Sequence, residues 1–292
     1  MKLYKTKSGI IVESHDGFFE ADIQDWDKFI NDDSLLKKIT LLLNSGNAVK
    51  TNSAIESQIL APVGKQELWA CGVTYLRSKV GRQEESKVSG GADFYAKVYE
   101  AERPEVFFKA TPNRIVGHND KVRIRKDSTW DVPEPELALY INSSGLIQGY
   151  TIGNDMSSRS IEGENPLYLP QAKVYEKSAA LGPCLYIPEF PIALNTSITL
   201  NIFRNEHIMF QGSTTLERMK RTLQELADYL FQECDFSAGC YLMTGTCLVP
   251  SNSFTLQVDD RIEIEIADIG IMVNKVNKRP ARMMTSSMVS GF

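Results

Sequence analysis

The sequence predicts an α+β, β-rich protein with a small N-terminal domain over residues 1–65 and a larger domain over residues 66–292. Three observations carry this expectation. Most apolar runs are short and bounded by turn residues, which is the pattern of strands. Only two segments hold apolar residues at helical spacing over several turns. A chain of 292 residues with 42% hydrophobic content can bury a sizeable core, so disorder is not the default. Ala61-Pro62-Val63-Gly64 supplies the junction between the two domains.

Along the N-terminal domain, strand-like runs at residues 2–6, 9–13 and 18–21 are separated by Gly and Asp-Gly turn signals, predicting a small sheet. Residues 34–43 carry Leu35, Leu36, Ile39, Leu42 and Leu43 at helical spacing, and Asn44-Ser45-Gly46-Asn47 ends the helix. The larger domain should hold strands at 67–72, 105–110, 137–142, 146–152, 197–203, 254–258 and 261–273, the last with a break. One late helix opens with Thr214 and Glu217 in a capping-box arrangement and continues through Leu216, Met219, Leu223, Leu226, Ala227 and Leu230 on one face. The polar stretch 81–91 is the best candidate for a loop that could close over a site.

A net charge of -5 and a pI near 5.4 give no field for attracting nucleic acid, and no run of Lys and Arg supplies a local one. No stretch of about 18 apolar residues is present to span a membrane, and the N-terminus lacks the apolar core of a signal peptide. Cys71, Cys184, Cys234, Cys240 and Cys247 are odd in number and form no CxxC pair, and His15, His118 and His207 are scattered. A zinc or redox motif is therefore not supported. The expectation is a cytoplasmic protein with a small-molecule partner.

The segment that carries chemistry is Asp131-Val132-Pro133-Glu134-Pro135-Glu136-Leu137-Ala138-Leu139-Tyr140. Glu134 and Glu136 stand two residues apart at a predicted strand start, so both carboxylates leave the same face, a chelating arrangement. Pro133 and Pro135 lack the N–H that a central ladder needs, which places the pair at a strand start or edge. A third carboxylate, Asp155, ends the next apolar run. If the two runs are antiparallel neighbours joined through Asn142-Ser143-Ser144-Gly145, Asp155 comes back to the first two. Three converging carboxylates raise one another's pKa unless a cation neutralises them. Hard oxygen donors with no Cys or His partner favour Mg2+, or Mn2+ or Ca2+, over Zn2+. Residue chemistry alone leaves open a simpler reading, a pair of solvated strand-end carboxylates.

From residue 104 to 183 the chain resembles the fumarylacetoacetate hydrolase superfamily. The resemblance rests on Phe107-Phe108-Lys109-Ala110-Thr111-Pro112, Glu134-Pro135-Glu136-Leu137-Ala138, Gly149-Tyr150-Thr151-Ile152 with Asn154-Asp155 and Arg159, and Asn165-Pro166-Leu167-Tyr168-Leu169-Pro170-Gln171-Ala172-Lys173. Leu181-Gly182-Pro183 and the later Thr244-Gly245-Thr246 complete it. The resemblance implies a mixed β-roll, a homodimer or higher homo-oligomer, and a divalent ion held by Glu134, Glu136 and Asp155 that chelates a 2-oxo acid. It further implies that Lys109 and Lys173 are active-site lysines, that Gln171, Thr246 and Tyr75 contact the substrate, and that Arg159 is a substrate contact or, more simply, a structural partner. A lysine in an apolar strand is ordinarily a snorkelling surface residue. Three carboxylates plus an anionic substrate exceed the charge of one divalent ion, however, so cations are needed close by.

The chain departs from the hydrolases of this superfamily in one informative place. Their G-x-N-Y-x-x-H-x-x-E segment aligns with residues 72–81, where Ser78 replaces the His and Gly81 the Glu. Neither is an ordinary general base; Glu84 and Glu85 in the following loop are the remaining candidates. Ser160 also stands where an Asp is common, followed by Glu162 and Glu164, which read as solvated carboxylates at a helix start. The missing His and Glu, with the long motifs around Lys109 and Gln171, make the chain most similar to the 2-keto-3-deoxy-D-arabinonate dehydratases. That implies loss of water from a 3-deoxy-2-oxo pentonate to give 2-oxoglutarate semialdehyde. Lys173, its pKa lowered near the metal, would take the C3 proton, with the metal and Lys109 stabilising the enolate and Thr246 and Gln171 holding hydroxyls. The alternatives are an acylpyruvate hydrolase or oxaloacetate decarboxylase, and a non-catalytic 2-oxo acid binding protein.

Overall fold

The computed structural model describes residues 1–51, 56–78 and 92–280. The loop expected over 81–91, with Gly81, Glu84 and Glu85, lies outside the described residues. The N-terminal meander forms as its turn signals predict: β1 (Lys2–Lys5), β2 (Ile10–Ser14) and β3 (Gly17–Ala21) pair antiparallel, and β4 (Val49–Thr51) adds to β3. Then follow β5 (Glu67–Gly72), β6 (Glu105–Ala110), β7 (Ile115–Val116), β8 (Lys121–Ile124), β9 (Asp131–Val132), β10 (Pro135–Ile141), β11 (Ile147–Asp155), β12 (Ser157–Ser158) and β13 (Ala179–Tyr186). The chain continues with β14 (Ser197–Arg204), β15 (His207–Thr215), β16 (Cys240–Met243), β17 (Arg261–Ile266) and β18 (Gly270–Lys278).

These strands build a mixed, eleven-stranded sheet in the order β4-β3-β2-β1-β13-β11-β10-β16-β5-β6, with β7 attached to β13. A five-stranded sheet, β15-β14-β17-β18-β8, packs over one of its faces, and β9 and β12 form a small ribbon. The N-terminal meander joins the large sheet through β1 on β13.

All seven residues of β10 are buried, and its alternation decides where each goes. Leu137, Leu139 and Ile141 enter one core with Ile198, Leu200 and Ile202 of β14 and Ile262 and Ile264 of β17. Ala138 and Tyr140 enter a second core with Trp26, Phe29 and Ile30 of the helix Trp26–Ile30 and with Leu35 and Ile39 of the helix Leu35–Asn44. A strand covered on both faces reads as an unbroken apolar run, and each such Leu or Ile contributes about 1.5–3 kcal/mol by leaving water.

Two expectations are corrected. The late helix does not open at Thr214: strand β15 runs through Thr215, and the helix is Leu223–Phe231. Its capping box is Thr222 with Glu225, so the right motif lies eight residues further on, while Leu216 and Met219 belong to a tight turn and the segment after it. Residues 254–258 form no strand. They run irregularly beside the site, with the Leu256 N–H donating to the Asp131 carbonyl at 2.9 Å, the Asp131 N–H to Thr255 Oγ1 at 3.0 Å and Arg204 to the Thr255 carbonyl at 2.9 Å, so isolated tertiary bonds replace a ladder. The break expected within 261–273 is present between β17 and β18. No helix among the described residues is long and apolar enough to cross a membrane.

The capping box gives a direct test. Thr222 Oγ1 accepts from the Glu225 N–H at 3.1 Å, and the Glu225 carboxylate accepts from the Thr222 N–H at 3.4 Å. Thr222→Ala should lower the unfolding free energy by about 1 kcal/mol in urea titration with an unchanged slope; no loss would place the cap elsewhere.

Candidate active site

The register of β10 and β11 sets the geometry. Glu136 lies opposite Gly153 and Pro135 opposite Asn154. One step further, the Asp155 N–H donates to the Glu134 carbonyl at 2.9 Å. Residues opposite one another on antiparallel strands share a face, so Glu134, Glu136 and Asp155 converge as the hairpin through Asn142-Ser143-Ser144-Gly145 requires. Their carboxylate oxygens lie within 4.8 Å of one another, and the three residues are only 2%, 1% and 1% exposed.

Each carboxylate is fixed by a different element. Glu136 accepts from the Gly245 N–H at 2.6 Å. Gly245 has φ +92°, and a Cβ there would stand 2.1 Å from Thr74 Oγ1, so only glycine fits. Thr74 Oγ1 in turn donates to the Thr244 carbonyl at 2.7 Å, and Thr244 Oγ1 to the Leu137 carbonyl at 3.0 Å, which clamps the Thr244-Gly245-Thr246 turn to β10. Glu134 accepts from Arg159 Nη2 at 2.6 Å, and the Arg159 N–H is pinned to the Trp130 carbonyl at 2.8 Å. Lys173, at the end of the short helix Leu169–Lys173, donates to Glu134 and, at 3.0 Å, to Asp155. The Asn165 side chain accepts from the Leu167 N–H at 2.9 Å and thereby starts the turn that leads into this helix.

Lys109, inside β6, pairs with the other oxygen of Asp155 and donates to the carbonyls of Met156 at 3.0 Å and Lys173 at 2.6 Å. Burial, reinforced by the nearby Lys173 charge, holds its pKa below the usual lysine value against the opposing pull of Asp155. Glu136 is driven the other way: burial first, then the charges of Asp155 and Glu134, push its carboxyl well above the usual range. Among the described residues Glu136 has no ion-pair partner. A cation between the three would remove this penalty, and the oxygen-only donor set fits a hard divalent ion of the Mg2+ kind.

The cluster forms the floor of a cavity of about 740 Å³ including its mouth. Lys173, Arg159 and Thr246 line it; Thr246 Oγ1 accepts from the Leu248 N–H at 3.1 Å. Lys109 does not line it and reaches the site through Asp155. Tyr75 lines an adjoining cavity that shares Arg77 and Cys247 with the first. Gln171 is exposed, its carbonyl accepting from Arg125 at 2.9 Å, and the described cavity lining does not include it. Ser78, at the position of the missing His, lines the mouth, and its hydroxyl donates to the Tyr75 carbonyl at 2.6 Å, a turn closure that leaves it no role as a base.

Four features went unread. Glu162 is buried and accepts from Ser157 Oγ at 2.9 Å, where a solvated carboxylate was expected; Glu164 is exposed as expected. Ser160 joins a hydroxyl cluster with Ser128 and Ser158. Trp130 and the turn Pro250-Ser251-Asn252 complete the cavity wall. Their signals were available, since Trp130 precedes the acidic segment and the turn follows Thr246.

Comparison with known proteins agrees with this geometry. The fumarylacetoacetate hydrolase C-terminal domain family matches residues 80–277. A probable 2-keto-3-deoxyxylonate dehydratase of Haloferax volcanii is 45% identical over 231 residues, 78% of each chain. A 2-dehydro-3-deoxy-D-arabinonate dehydratase of Saccharolobus solfataricus is 41% identical over 225 residues, 76% of this chain and 75% of that one. Among solved structures, a 2-keto-3-deoxy-D-arabinonate dehydratase complexed with magnesium and 2,5-dioxopentanoate superposes with a TM-score of 0.80 at 33% identity, covering 96% of this chain and all of the other. The mixed sheets, the acidic cluster on β10 and β11 and these likenesses have one reading: the chain belongs to the fumarylacetoacetate hydrolase family.

Proposed function

We propose that the protein is a Mg2+-dependent dehydratase that converts a 2-keto-3-deoxy pentonate, 2-keto-3-deoxy-D-arabinonate or a close isomer, to 2-oxoglutarate semialdehyde, which is 2,5-dioxopentanoate. The observation that carries this reading is the buried cluster of Glu134, Glu136 and Asp155 in a chain 41% and 45% identical to sugar-acid dehydratases. The absence of the His at position 78 supports elimination over hydrolysis, since expelling a hydroxyl needs no activated water.

A divalent ion at this site would supply Lewis-acid stabilisation for the negative charge that develops on a bound 2-oxo acid as a C3 proton leaves. Glu134, Glu136 and Asp155 hold it. Lys173 donates to Glu134 and Asp155 on the floor of the cavity, which places its amine to serve as the base. Its neutral amine lines the cavity and takes the C3 proton, and the resulting ammonium returns a proton to the C4 hydroxyl, which leaves as water. A proton shift from C5 to C3 then leaves a C4=C5 enol, whose hydroxyl proton passes to C4 to give the C5 aldehyde. Lys109 acts as a positioning residue that holds Asp155 from behind, Arg159 holds Glu134, and Thr246 is placed to meet a substrate hydroxyl. Gln171, exposed on its helix, takes no part in this step.

The reading extends to a cytoplasmic homodimer or higher homo-oligomer with a small N-terminal unit, 1–65, and a catalytic unit, 66–292. Strand β15 supports the oligomer: it is the edge of the five-stranded sheet and leaves Ile208 59% and Met209 43% exposed, an edge that a second copy would cover. The buried thiols Cys71, Cys184 and Cys240 suit a reducing compartment. Light scattering on the eluting protein should give at least twice the chain mass; the mass of one chain would contradict the oligomer.

The activity is tested by incubating the protein with 2-keto-3-deoxy sugar acids and following mass. Loss of one water and formation of 2,5-dioxopentanoate is expected, abolished by EDTA and restored by Mg2+. Pyruvate release would instead indicate a hydrolase or decarboxylase. Lys173→Met should lower kcat by about 10²–10⁴-fold while 2-oxo acids still bind with Mg2+; retained turnover would remove Lys173 as the base.

A further inference from the structure

Among the described residues three cations line the active-site cavity, and two of them are committed. Lys173 and Arg159 bind the carboxylates of the floor. The third, Arg77, is exposed at the mouth, and among the described residues its guanidinium has neither an ion-pair nor a hydrogen-bond partner. Among the described residues, the carboxylates that line the cavity are all at its buried end. The adjoining cavity, which shares Arg77 and Cys247, adds the exposed Arg218 together with Ser213 and Thr214 and has no carboxylate in its described lining. Both guanidinium groups lie near enough to the Cys247 thiol to oppose the upward push that burial gives its pKa. Among the described residues the cavity thus carries its carboxylates, two of them paired with cations, at the floor, and the exposed guanidinium group of Arg77 at the mouth.

A sugar acid has its only carboxylate at C1, and in the dehydratase reading that end sits on the floor. It leaves Arg77 unused. We propose that Arg77 forms a carboxylate subsite at the cavity mouth, so that the protein also binds five-carbon 2-oxo diacids, with C1 and C2 at the acidic cluster and the distal carboxylate on the Arg77 guanidinium. The inference rests on the dehydratase reading for the placement of C1 and C2. A guanidinium offers a carboxylate two parallel N–H donors, and a charge-assisted pair of this kind distinguishes a distal carboxylate from a methyl group of the same chain length. General attraction of anions by a basic rim would involve Arg218 equally and would not be lost with Arg77 alone.

The test compares 2-oxoglutarate with 2-oxopentanoate, a diacid and a monoacid of equal length, by calorimetry with Mg2+ on the full chain. The wild type should bind the diacid about tenfold or more tighter, the ratio expected for one charge-assisted hydrogen-bonding contact. In Arg77→Gln the ratio should fall to about one, and in Arg218→Gln it should persist. Equal affinities in the wild type, or a preference that survives Arg77→Gln or disappears only with Arg218→Gln, overturns the subsite. Monoacid binding with no diacid preference leaves the dehydratase reading standing and removes this one alone. Failure of either acid to bind with Mg2+ removes both.

Discussion

The structure depends on holding three carboxylates together out of water. Each ion costs several kcal/mol to desolvate, and like charges at this spacing add to that cost. The fold offsets it unevenly. Asp155 meets Lys109 on one oxygen and Lys173 on the other, and Glu134 meets Arg159 and Lys173. Glu136 meets the Gly245 N–H and, among the described residues, forms no ion pair, and its carboxyl is the one pushed well above its usual range. Glu136 thus gains most from an added cation, and a divalent ion placed there corrects an imbalance that the protein side chains leave.

The surrounding architecture makes this tension tolerable. β10 lies inside the large sheet with both faces buried, so its start cannot move to relieve repulsion at Glu134 and Glu136. The turn at Gly245 approaches so closely that no side chain fits, which lets a backbone N–H replace a water at Glu136. Lys109 and Lys173 are fully buried and bound to each other through the Lys173 carbonyl, so the cations too are fixed before any substrate arrives. Such fixed charges need no reorganisation when charge develops on a bound 2-oxo acid.

Much of the site was legible because its geometry is local. Two Glu residues two apart and an Asp at the end of the next run need only one hairpin to meet, and the Asn142-Ser143-Ser144-Gly145 turn supplied it. That Lys109 belongs to the site came only from the resemblance, and its pairing with Asp155 only from the fold, since nothing in the sequence brings 109 beside 155. On one short helix Gln171 is exposed while Lys173, two residues on, is buried in the site, a division that the motif itself does not encode. In the fold, β13 was missed because Ala179–Tyr186 is buried at every residue before Tyr186 and interrupted by Gly182 and Pro183, which removes alternation as a signal. β15 was misread for the opposite reason, an exposed edge whose polar end at Thr214 imitated a helix cap. Both failures come from tertiary surroundings that local pattern does not encode.

The central claim is that the three carboxylates jointly grip one hard divalent ion. Calorimetric titration of the metal-stripped protein with Mg2+ tests it most directly. One ion should bind per chain, and Glu136→Gln, which preserves shape and the contact to Gly245 while removing the charge, should weaken binding by at least about tenfold. No uptake by the wild type, or equal uptake by the variant, would contradict the account.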